Sequence, residues 1–455
     1  MLTPRLQLLS STVTRLVRRG AKASLTKIMR KYRPEELAVA FLHLTLAERM
    51  QLFQACPDDE YQTDLLSELE VDIAAELILG MPPQGAAKFL QHMDPDDAAD
   101  IIGELPEERQ TELLQLMQSG GQEHLEELLR YDESTAGGIM NPNVFALPRG
   151  MKVHEAIEAL QDAEDAEIVF YVYVVNDQEQ LVGVVPLRRL VTSKPNVALD
   201  GIMTADVISV QPEEDQEEVA KLVSRYGFLS IPVVDQSRRL LGIVTVDDVI
   251  DVIREEATED ILKMAGAGHA LMESHSVWTS VRVRLPWLLA TAVTGSVNAL
   301  VISHFQASLS QVLALAFFIP VVLGMGGNVG TQSASIVVRG LAMGRISLGQ
   351  FWTVLKREMS VGFILGFIYG AMVGGFGILK LSSTGWHNAL LVGGTVGTSI
   401  AASMTLGSMV AAMYPMLFER LNVDPAAASG PFVTTTTDLL GTLTYFLVAK
   451  HMLGL

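Results

Sequence analysis

The chain has 455 residues, a formal net charge of −19 and a single cysteine, Cys56. One cysteine excludes an intrachain disulfide and gives no indication of a thiolate metal site or an oxidising compartment. Residues 35–285 hold 17 bases against 48 acids, and because so acidic a region repels a phosphate backbone, we expect no nucleic-acid binding.

Residues 1–34 predict a basic N-terminal helix, since they hold nine bases and no acid. Leu6, Leu9, Val13 and Leu16 recur at a spacing that suits an amphipathic helix on an anionic membrane surface. An ordinary first helix of the following domain fits the same spacing equally well. The segment lacks a compact apolar core and a small-residue cleavage site, so we do not interpret it as a secretory signal.

Residues 35–132 predict an acidic, α-superhelical N domain. Apolar residues recur there every 12 or 13 positions: Leu44, Cys56, Leu69, Met81, Met93, Leu105 and Met117. Several are followed by proline and acidic residues, which suit the first turn of a helix. We therefore predict a stack of short helices, with a solvated surface accounting for most of the acids.

Residues 137–253 contain an internal repeat, in which 173–185 aligns without gaps on 232–244. Each unit reads as a strand, a turn, a second strand and a helix, and an Ile-Met pair introduces each. The pattern resembles a tandem pair of CBS (cystathionine-β-synthase-type) domains. We place them at 137–200 and 201–253, which makes this region α/β.

The second CBS unit carries a candidate nucleotide site. Thr245 followed by Asp248 matches the CBS pattern for the phosphate and ribose of a nucleotide, whereas the first unit has Pro186 and Arg189 there. The resemblance therefore implies one possible site per chain, for ATP or another adenine nucleotide.

Residues 254–284 predict one linking helix, acidic at its start and basic at Arg282 and Arg284. Residues 285–455 predict a transmembrane domain, because each of five apolar segments is long enough to cross a bilayer. The segments are 286–305, 311–336, 359–379, 389–417 and 430–449. The second and fourth are over-long and carry proline or glycine, so we expect breaks or kinks there.

Loop charge predicts the orientation. The loop between the second and third segments carries Arg339, Arg345, Lys356 and Arg357, whereas the loops after the first and third carry almost no base. Basic loops stay on the cytoplasmic side. We therefore expect a multi-pass protein of the plasma (inner) membrane, with residues 1–285 in the cytoplasm and the C-terminus outside.

Asp438 is the acidic residue that the sequence places deepest in the membrane, since Glu358, Glu419 and Asp424 fall at segment ends. A carboxylate at that depth costs about 2.5–3.5 kcal/mol and persists mainly where it faces a pore, a partner or a proton path. On a helix it shares a face with Pro431, Thr434, Thr435, Gly441, Thr442 and Tyr445. The alternatives are a protonated aspartate bonded to a neighbouring helix and threonines that bond backbone freed by Pro431.

The second segment holds an unusual run for a membrane helix, Gly324-Met325-Gly326-Gly327-Asn328-Val329-Gly330-Thr331-Gln332. Close helix packing explains Gly326 and Gly330, while Asn328 and Gln332, four residues apart, favour a polar cavity. No histidine or cysteine lies near Asp438, which argues against Zn²⁺ or Cu⁺. Carboxylates, hydroxyls and carbonyls suit hydrated Mg²⁺, and Mn²⁺ or Co²⁺ stays open.

The two motifs, 320–332 with Arg339-Gly340-Leu341 and 424–438, resemble the signatures of the MgtE family of magnesium channels and transporters, and the order of domains agrees. The resemblance implies a homodimer with the pore on its two-fold axis, and a linking helix that plugs it. It implies that Asp438 is the pore carboxylate, and we place Gly327, Asn328, Thr434 and Thr435 beside it.

The resemblance further implies regulatory Mg²⁺ bound by acids of the N domain, the second CBS unit and the linking helix. Matching positions are Asp94, Asp97, Asp247, Asp248, Asp251, Glu256, Glu259 and Asp260, with Asp96 as a further candidate. A solvated charged surface is the alternative for any one of them. Cytoplasmic Mg²⁺ would then close the pore by joining carboxylates of different domains.

Three other functions bear comparison with these motifs. A membrane metalloprotease needs His-Glu-x-x-His in a membrane helix, but the only His-Glu pair, His154-Glu155, lies in the soluble half and lacks the second histidine, so we expect no enzyme. A coupled carrier that exchanges Mg²⁺, Mn²⁺ or Co²⁺ for Na⁺ or H⁺ stays open. A membrane-tethered sensor would have no use for Asp438.

Overall fold

The computed structural model describes residues 4–117, 119–163, 170–267, 277–428 and 430–454. The chain divides into two compact units, residues 1–253 and 254–455. The predicted fold class is confirmed: a helical N domain and a CBS pair make up most of the first unit, and five long apolar helices dominate the second.

The N domain is a two-layered helical stack. Its helices are α1 (Pro4–Arg18), α2 (Lys22–Met29), α3 (Pro34–Phe41), α4 (Leu46–Phe53), α5 (Asp59–Ser67), α6 (Val71–Leu79), α7 (Pro83–His92), α8 (Pro95–Gly103), α9 (Glu107–Leu116) and α10 (Ser119–Leu128). From α3 onward each helix packs on the second one after it, so odd- and even-numbered helices form separate layers. The side chains of Thr45 and Asp58 accept backbone N–H bonds at the starts of α4 and α5, which satisfies donors left unpaired at a helix N-terminus.

Helix α1 belongs to this stack. Leu9, Val13 and Val17 are buried in the core of the first unit, and α1 packs against α2, α3 and α4. The spacing that fitted a membrane-surface helix thus serves domain packing, and the alternative of an ordinary first helix is the one observed.

The CBS pair has two small sheets that repeat one another. Their elements are β1 (Ala146–Pro148), α11 (Val153–Gln161), β2 (Tyr171–Val175), β3 (Leu181–Pro186), α12 (Leu187–Thr192), α13 (Gln216–Tyr226), β4 (Ser230–Val234), β5 (Leu240–Thr245) and α14 (Val246–Met264). In the first sheet β1 pairs parallel to β2, which pairs antiparallel to β3, while β4 pairs antiparallel to β5. Glu179 and Arg238 occupy the same turn position with φ of 59° and 64°, so the repeat holds at the level of backbone geometry.

The Ile-Met pairs link the two CBS units crosswise. Met203, near the start of the second unit, packs on Gly183 of the first, and Met140, near the start of the first, packs on Gly242 of the second. Glycine is required at both positions because a Cβ would overlap the methionine side chain. Tyr173 and Ser230 add a buried hydrogen bond of 2.9 Å between the units.

Among the described residues, five helices are long and apolar enough to cross a membrane, and all five lie in the second unit. The long helices are α15 (Val277–His304), α17 (Ile319–Ala342), α18 (Phe351–Leu381), α19 (Trp386–Arg420) and α20 (Pro431–Leu453), with a short α16 (Gln306–Gln311) after the first. Helix α19 packs against α17, α18 and α20, and α17 packs against α20.

Three details differ from the sequence expectations. Residues 254–284 do not form one continuous helix, because α14 ends at Met264 and Gly266 has a φ of 69°. Residues 268–276 of the predicted helix lie outside the described residues, and α15 is described from Val277. The expected break in the second segment is the 3₁₀ turn 313–318, whereas α19 runs unbroken through Pro415.

The third difference concerns Glu358. Helix α18 has 31 residues, so at 1.5 Å per residue it is about 46 Å long and exceeds the hydrocarbon core. Glu358 lies two turns inside the helix and is 3% exposed, although the apolar segment predicted from the sequence begins only at 359. Its carbonyl oxygen accepts a hydrogen bond of 3.0 Å from Ser408 of α19.

Candidate ion pathway and regulatory sites

Asp438 lies two turns into α20 and faces α17. A Cβ at Gly327 would lie 3.7 Å from Asp438 Oδ1 and 3.9 Å from Thr437 Oγ1. Within the described ranges, no side chain or backbone group donates a hydrogen bond to the Asp438 carboxylate, which is half-buried. The structure thus brings Asp438 and Gly327 together, as predicted, and leaves the carboxylate available to water or an ion.

The other glycines of the motif serve helix packing. A Cβ at Gly330 would lie 2.9 Å from Thr437 Cγ2, and one at Gly326 would lie 2.6 Å from Ser403 Oγ. Both distances are shorter than a Cβ tolerates, so these positions let α17 approach α19 and α20. The packing alternative therefore describes Gly326 and Gly330, while Gly327 borders the carboxylate.

A strip of polar side chains lies on the surface of the unit beside Asp438. Asn328 and Gln332 of α17 and Thr434 of α20 are exposed, and Thr435 is half-buried. The predicted polar face does not continue beyond Asp438: Gly441, Thr442 and Tyr445 are buried. The Tyr445 hydroxyl donates a 2.7 Å bond to Leu315 O, so that half of the face is structural.

The threonine hydroxyls near Asp438 bond backbone carbonyls of their own helix. Thr434 donates to Gly430 O at 3.2 Å and Thr435 to Phe432 O at 3.1 Å. Gly430 O also accepts the backbone N–H of Thr434 at 3.1 Å, so the Thr434 hydroxyl does not bond a carbonyl that Pro431 leaves free. Because each hydroxyl proton is committed, only the oxygen lone pairs face outward, and lone pairs are what a cation or the hydrogens of its water shell contact.

Candidate regulatory carboxylates of the N domain and second CBS unit meet within the first unit. The pKa of Asp97 is raised from 3.8 to about 7, chiefly by burial, while the charges of Asp94, Asp248 and Glu68 also raise it and a hydrogen bond from Ser67 lowers it. The pKa of Asp248 is raised to about 6, again chiefly by burial, while the charges of Asp247 and Asp251 also raise it and hydrogen bonds from Thr245 lower it. These acids are close enough to repel one another, and no base offsets Asp97 or Asp248 in this part of the structure.

The candidate nucleotide residues contact each other directly. Thr245 Oγ1 donates a 2.5 Å bond to Asp248 Oδ2, and Thr245 is 3% exposed. The neighbouring Asp247 and Asp251 are exposed. Asp248 therefore lies at the junction of the candidate nucleotide and metal sites.

Within the second unit, the end of α14 meets the loop before α20. Lys263 Nζ lies 2.6 Å from Asp424 Oδ2 and 2.7 Å from Glu259 Oε1. The pKa of Asp260 is raised to about 6, chiefly by burial; the charges of Asp424 and Glu256 also raise it, and those of Arg339 and Lys263 lower it. A lysine thus occupies the acidic group in which the sequence predicted only metal ligands.

No three carboxylate, histidine or cysteine groups lie close enough to hold a metal ion in the residues that the structure describes. The donor types nevertheless fit Mg²⁺, which prefers oxygen and keeps several waters. Sequence reasoning missed Glu68, Lys263 and the partner role of Asp424. Asp424-Pro425 marked a helix start, but nothing in the sequence pairs it with residue 263.

The chain matches family models along most of its length. Residues 319–448 match the MgtE model, described as a divalent cation transporter, and 32–134 match the MgtE intracellular N domain. Residues 136–195 and 199–255 match the CBS domain.

The magnesium transporters MgtE of Bacillus subtilis and Thermus thermophilus are each 34% identical to it, over 95% and 98% of both chains. A solved structure of the cytosolic domain of the Mg²⁺ channel MgtE in complex with ATP is 34% identical, with a TM-score of 0.50, and covers 53% of this chain and 99% of its own. This chain belongs to the MgtE family of divalent-cation transporters.

Proposed function

We propose that the chain takes up Mg²⁺ across the plasma membrane through a pore that two subunits form around their Asp438 side chains. The observation that carries the proposal is the polar strip Asn328, Gln332, Thr434 and Asp438 on the surface of an apolar helical unit. Polar groups exposed to lipid are costly, so the strip faces water or a second subunit. A two-fold axis through it satisfies both demands, because it gives a water-filled path with one carboxylate from each side.

Oxygen donors and the absence of imidazole or thiolate at Asp438 favour a hard divalent ion, and the relatives named above are magnesium transporters. The basic loop at Arg339, Arg345, Lys356 and Arg357 supports a cytoplasmic location for the soluble half and an external C-terminus.

Uptake of Mg²⁺ into proteoliposomes that contain a Mg²⁺-sensitive dye tests the pore. We expect Asp438→Asn to abolish uptake and Glu419→Gln, a matched change of an exposed acid at the end of α19, to leave it unchanged. Uptake by Asp438→Asn at the wild-type rate would exclude the pore carboxylate. Unitary currents in a patch separate a channel from a coupled carrier.

Cytoplasmic Mg²⁺ closes this pore in our proposal, by offsetting the repulsion among acids such as Asp97 and Asp248. One site at ten times its dissociation constant supplies about 1.4 kcal/mol, whereas moving an equilibrium from 1:99 to 99:1 needs about 5.5 kcal/mol. About four weak sites therefore suffice. Alanine at Asp248, Asp251 and Glu259 together should leave currents insensitive to cytoplasmic Mg²⁺, and undiminished inhibition would contradict the scheme.

ATP is the proposed ligand of the second CBS unit. The Thr245–Asp248 contact and the ATP complex of the related cytosolic domain support this assignment. Calorimetry with ATP should show weakened binding for Thr245→Val and wild-type binding for Thr192→Val, a matched change of an exposed threonine in α12. Equal affinities for both variants would place any nucleotide elsewhere.

A further inference from the structure

A cleft in the N domain lies outside everything that transport and gating use. It has a volume of about 530 Å³ and opens between α1 and the turn that holds His43, after α3, a size within the usual range of small-ligand sites. Gln7, Ser11, Thr14, Arg15 and Arg18 line it at spacings that put them on one face of α1. The family models begin at residue 32, so they assign no role to this helix.

The cleft is positively charged in an otherwise acidic domain. Arg15, Arg18 and Arg19 line it, and only Arg18 has a carboxylate within 4.0 Å in the described residues. The dipole of α1 favours bases at this end of the helix. Residues 35–285 hold 48 acids. The guanidinium groups of Arg15 and Arg19 nevertheless stay open to an external anion.

Glu48, the acid that pairs with Arg18, is already engaged on both oxygens. Glu48 Oε1 accepts a 2.9 Å bond from Arg18 Nε, and Oε2 accepts a 3.0 Å bond from the backbone N–H of Thr45. These bonds lower the pKa of Glu48, with the Thr45 bond the larger cause. Glu48 therefore fixes the orientation of Arg18 without neutralising its two neighbours.

The position of α1 is fixed by packing on its other face. Leu9, Val13 and Val17 are buried, so the helix cannot lie with its apolar face in a bilayer without leaving the domain core. What it offers to a partner is the face that lines the cleft, with the arginine side chains at its edge.

The donors in the cleft match the oxygens of a phosphate group. A guanidinium presents two parallel N–H donors that suit phosphate geometry, Gln7 contributes amide donors and His43 a ring nitrogen. Thr14 donates its hydroxyl proton to Ser10 O at 2.9 Å, so the arginines carry the recognition. We propose that this cleft binds a phosphate group, carried by a free phosphoanion or by the headgroup of a membrane lipid.

The test uses the full-length protein in a neutral detergent with EDTA, titrated by calorimetry with two probes. Sodium pyrophosphate represents a free phosphoanion, and glycerophosphoglycerol represents a lipid headgroup. The double variant Arg15→Gln/Arg19→Gln removes two charges from the cleft. Lys22→Gln/Lys27→Gln removes two charges from exposed sites on α2 outside it, and His43→Gln removes the opposite wall with no loss of formal charge.

We expect the arginine variant to weaken binding of at least one probe by about tenfold or more, His43→Gln to weaken it less, and the lysine variant to change it less than twofold. Pyrophosphate binding alone identifies a free phosphoanion, and glycerophosphoglycerol binding identifies a lipid headgroup. The proposal fails if neither probe binds, if the arginine variant binds both as the wild type does, or if the lysine variant loses as much affinity. Thermal melting confirms that each variant is folded.

Discussion

The raised pKa of Asp97 predicts how the apo protein responds to acid. Folding raises this pKa from 3.8 to about 7, so the folded state favours the protonated acid. The resulting stabilisation is complete below about pH 3.8 and is lost as the pH rises through 7. Asp97→Asn removes the titrating group and should abolish this part of the pH dependence.

The magnitude follows from the same two pKa values. Linkage gives a destabilisation from Asp97 of about 4 kcal/mol at pH 7.5, where the folded protein holds it mostly ionised, and about 2 kcal/mol at pH 5.5, where folding must protonate it. Acidification over this interval should therefore stabilise the wild-type first unit by about 2 kcal/mol. At about 2–4 °C per kcal/mol for a unit of this size, the melting temperature should rise by about 4–8 °C.

Thermal melting of the full chain in detergent with EDTA, at pH 7.5 and 5.5, measures the effect. Asp97→Asn should melt higher than the wild type at pH 7.5 and show little further rise at pH 5.5, and added Mg²⁺ should stabilise it less. Asp206→Asn, which changes an exposed aspartate of the same unit, should keep the wild-type response. An undiminished pH response in Asp97→Asn would refute the assignment of the buried charge.

Three further predictions concern packing and reactivity. Gly330→Val should lower the melting temperature by an amount equivalent to about 1–3 kcal/mol, because the new side chain meets Thr437 at 2.9 Å. Gly324→Val is the control and should be near neutral, because a Cβ there has nothing within 4 Å. Equal losses in the two variants would contradict the packing. Tyr445→Phe should cost about 1–3 kcal/mol in melting experiments, because it leaves a buried carbonyl without its donor, and an unchanged melting temperature would count against that bond. Burial raises the pKa of the Cys56 thiol to about 12, so maleimide at pH 7.5 should label the unfolded chain far faster than the native one, and fast native labelling would show that the thiol is accessible.

The features that the sequence predicted are those in which local pattern and structure coincide. The CBS repeat could be found because strands and turns recur at a fixed offset, and the structure repeats even the left-handed φ of Glu179 at Arg238. The apolar segments predicted five long helices because length and hydropathy alone meet the demand of a bilayer. Asp438 could be singled out because a charge in such a segment is rare.

The features that the sequence missed depend on which elements meet in space. Glu68 lies beside Asp97 and Asp251 only because α5, α8 and α14 come together, and no period in the chain encodes that meeting. Glu358 was assigned to a segment end because an apolar segment is judged to begin after the last charged residue. The helix α18 itself begins two turns earlier, at Phe351. The linking helix was predicted too long because its charge pattern runs on past residue 264, whereas α14 ends there and Gly266 has a φ of 69°.

The acids around Asp97 and Asp248 differ from those at the end of α14, and the difference indicates where Mg²⁺ acts. At the end of α14, Lys263 already supplies a positive charge to Glu259 and Asp424, so a divalent ion there replaces an existing ion pair and adds little net attraction. Asp97 and Asp248 repel each other, and burial keeps water from screening them. A divalent ion removes the most repulsion where no base is present. We therefore expect cytoplasmic Mg²⁺ to act chiefly by holding the N domain against the second CBS unit, and the contact between the end of α14 and Asp424 to respond only afterwards.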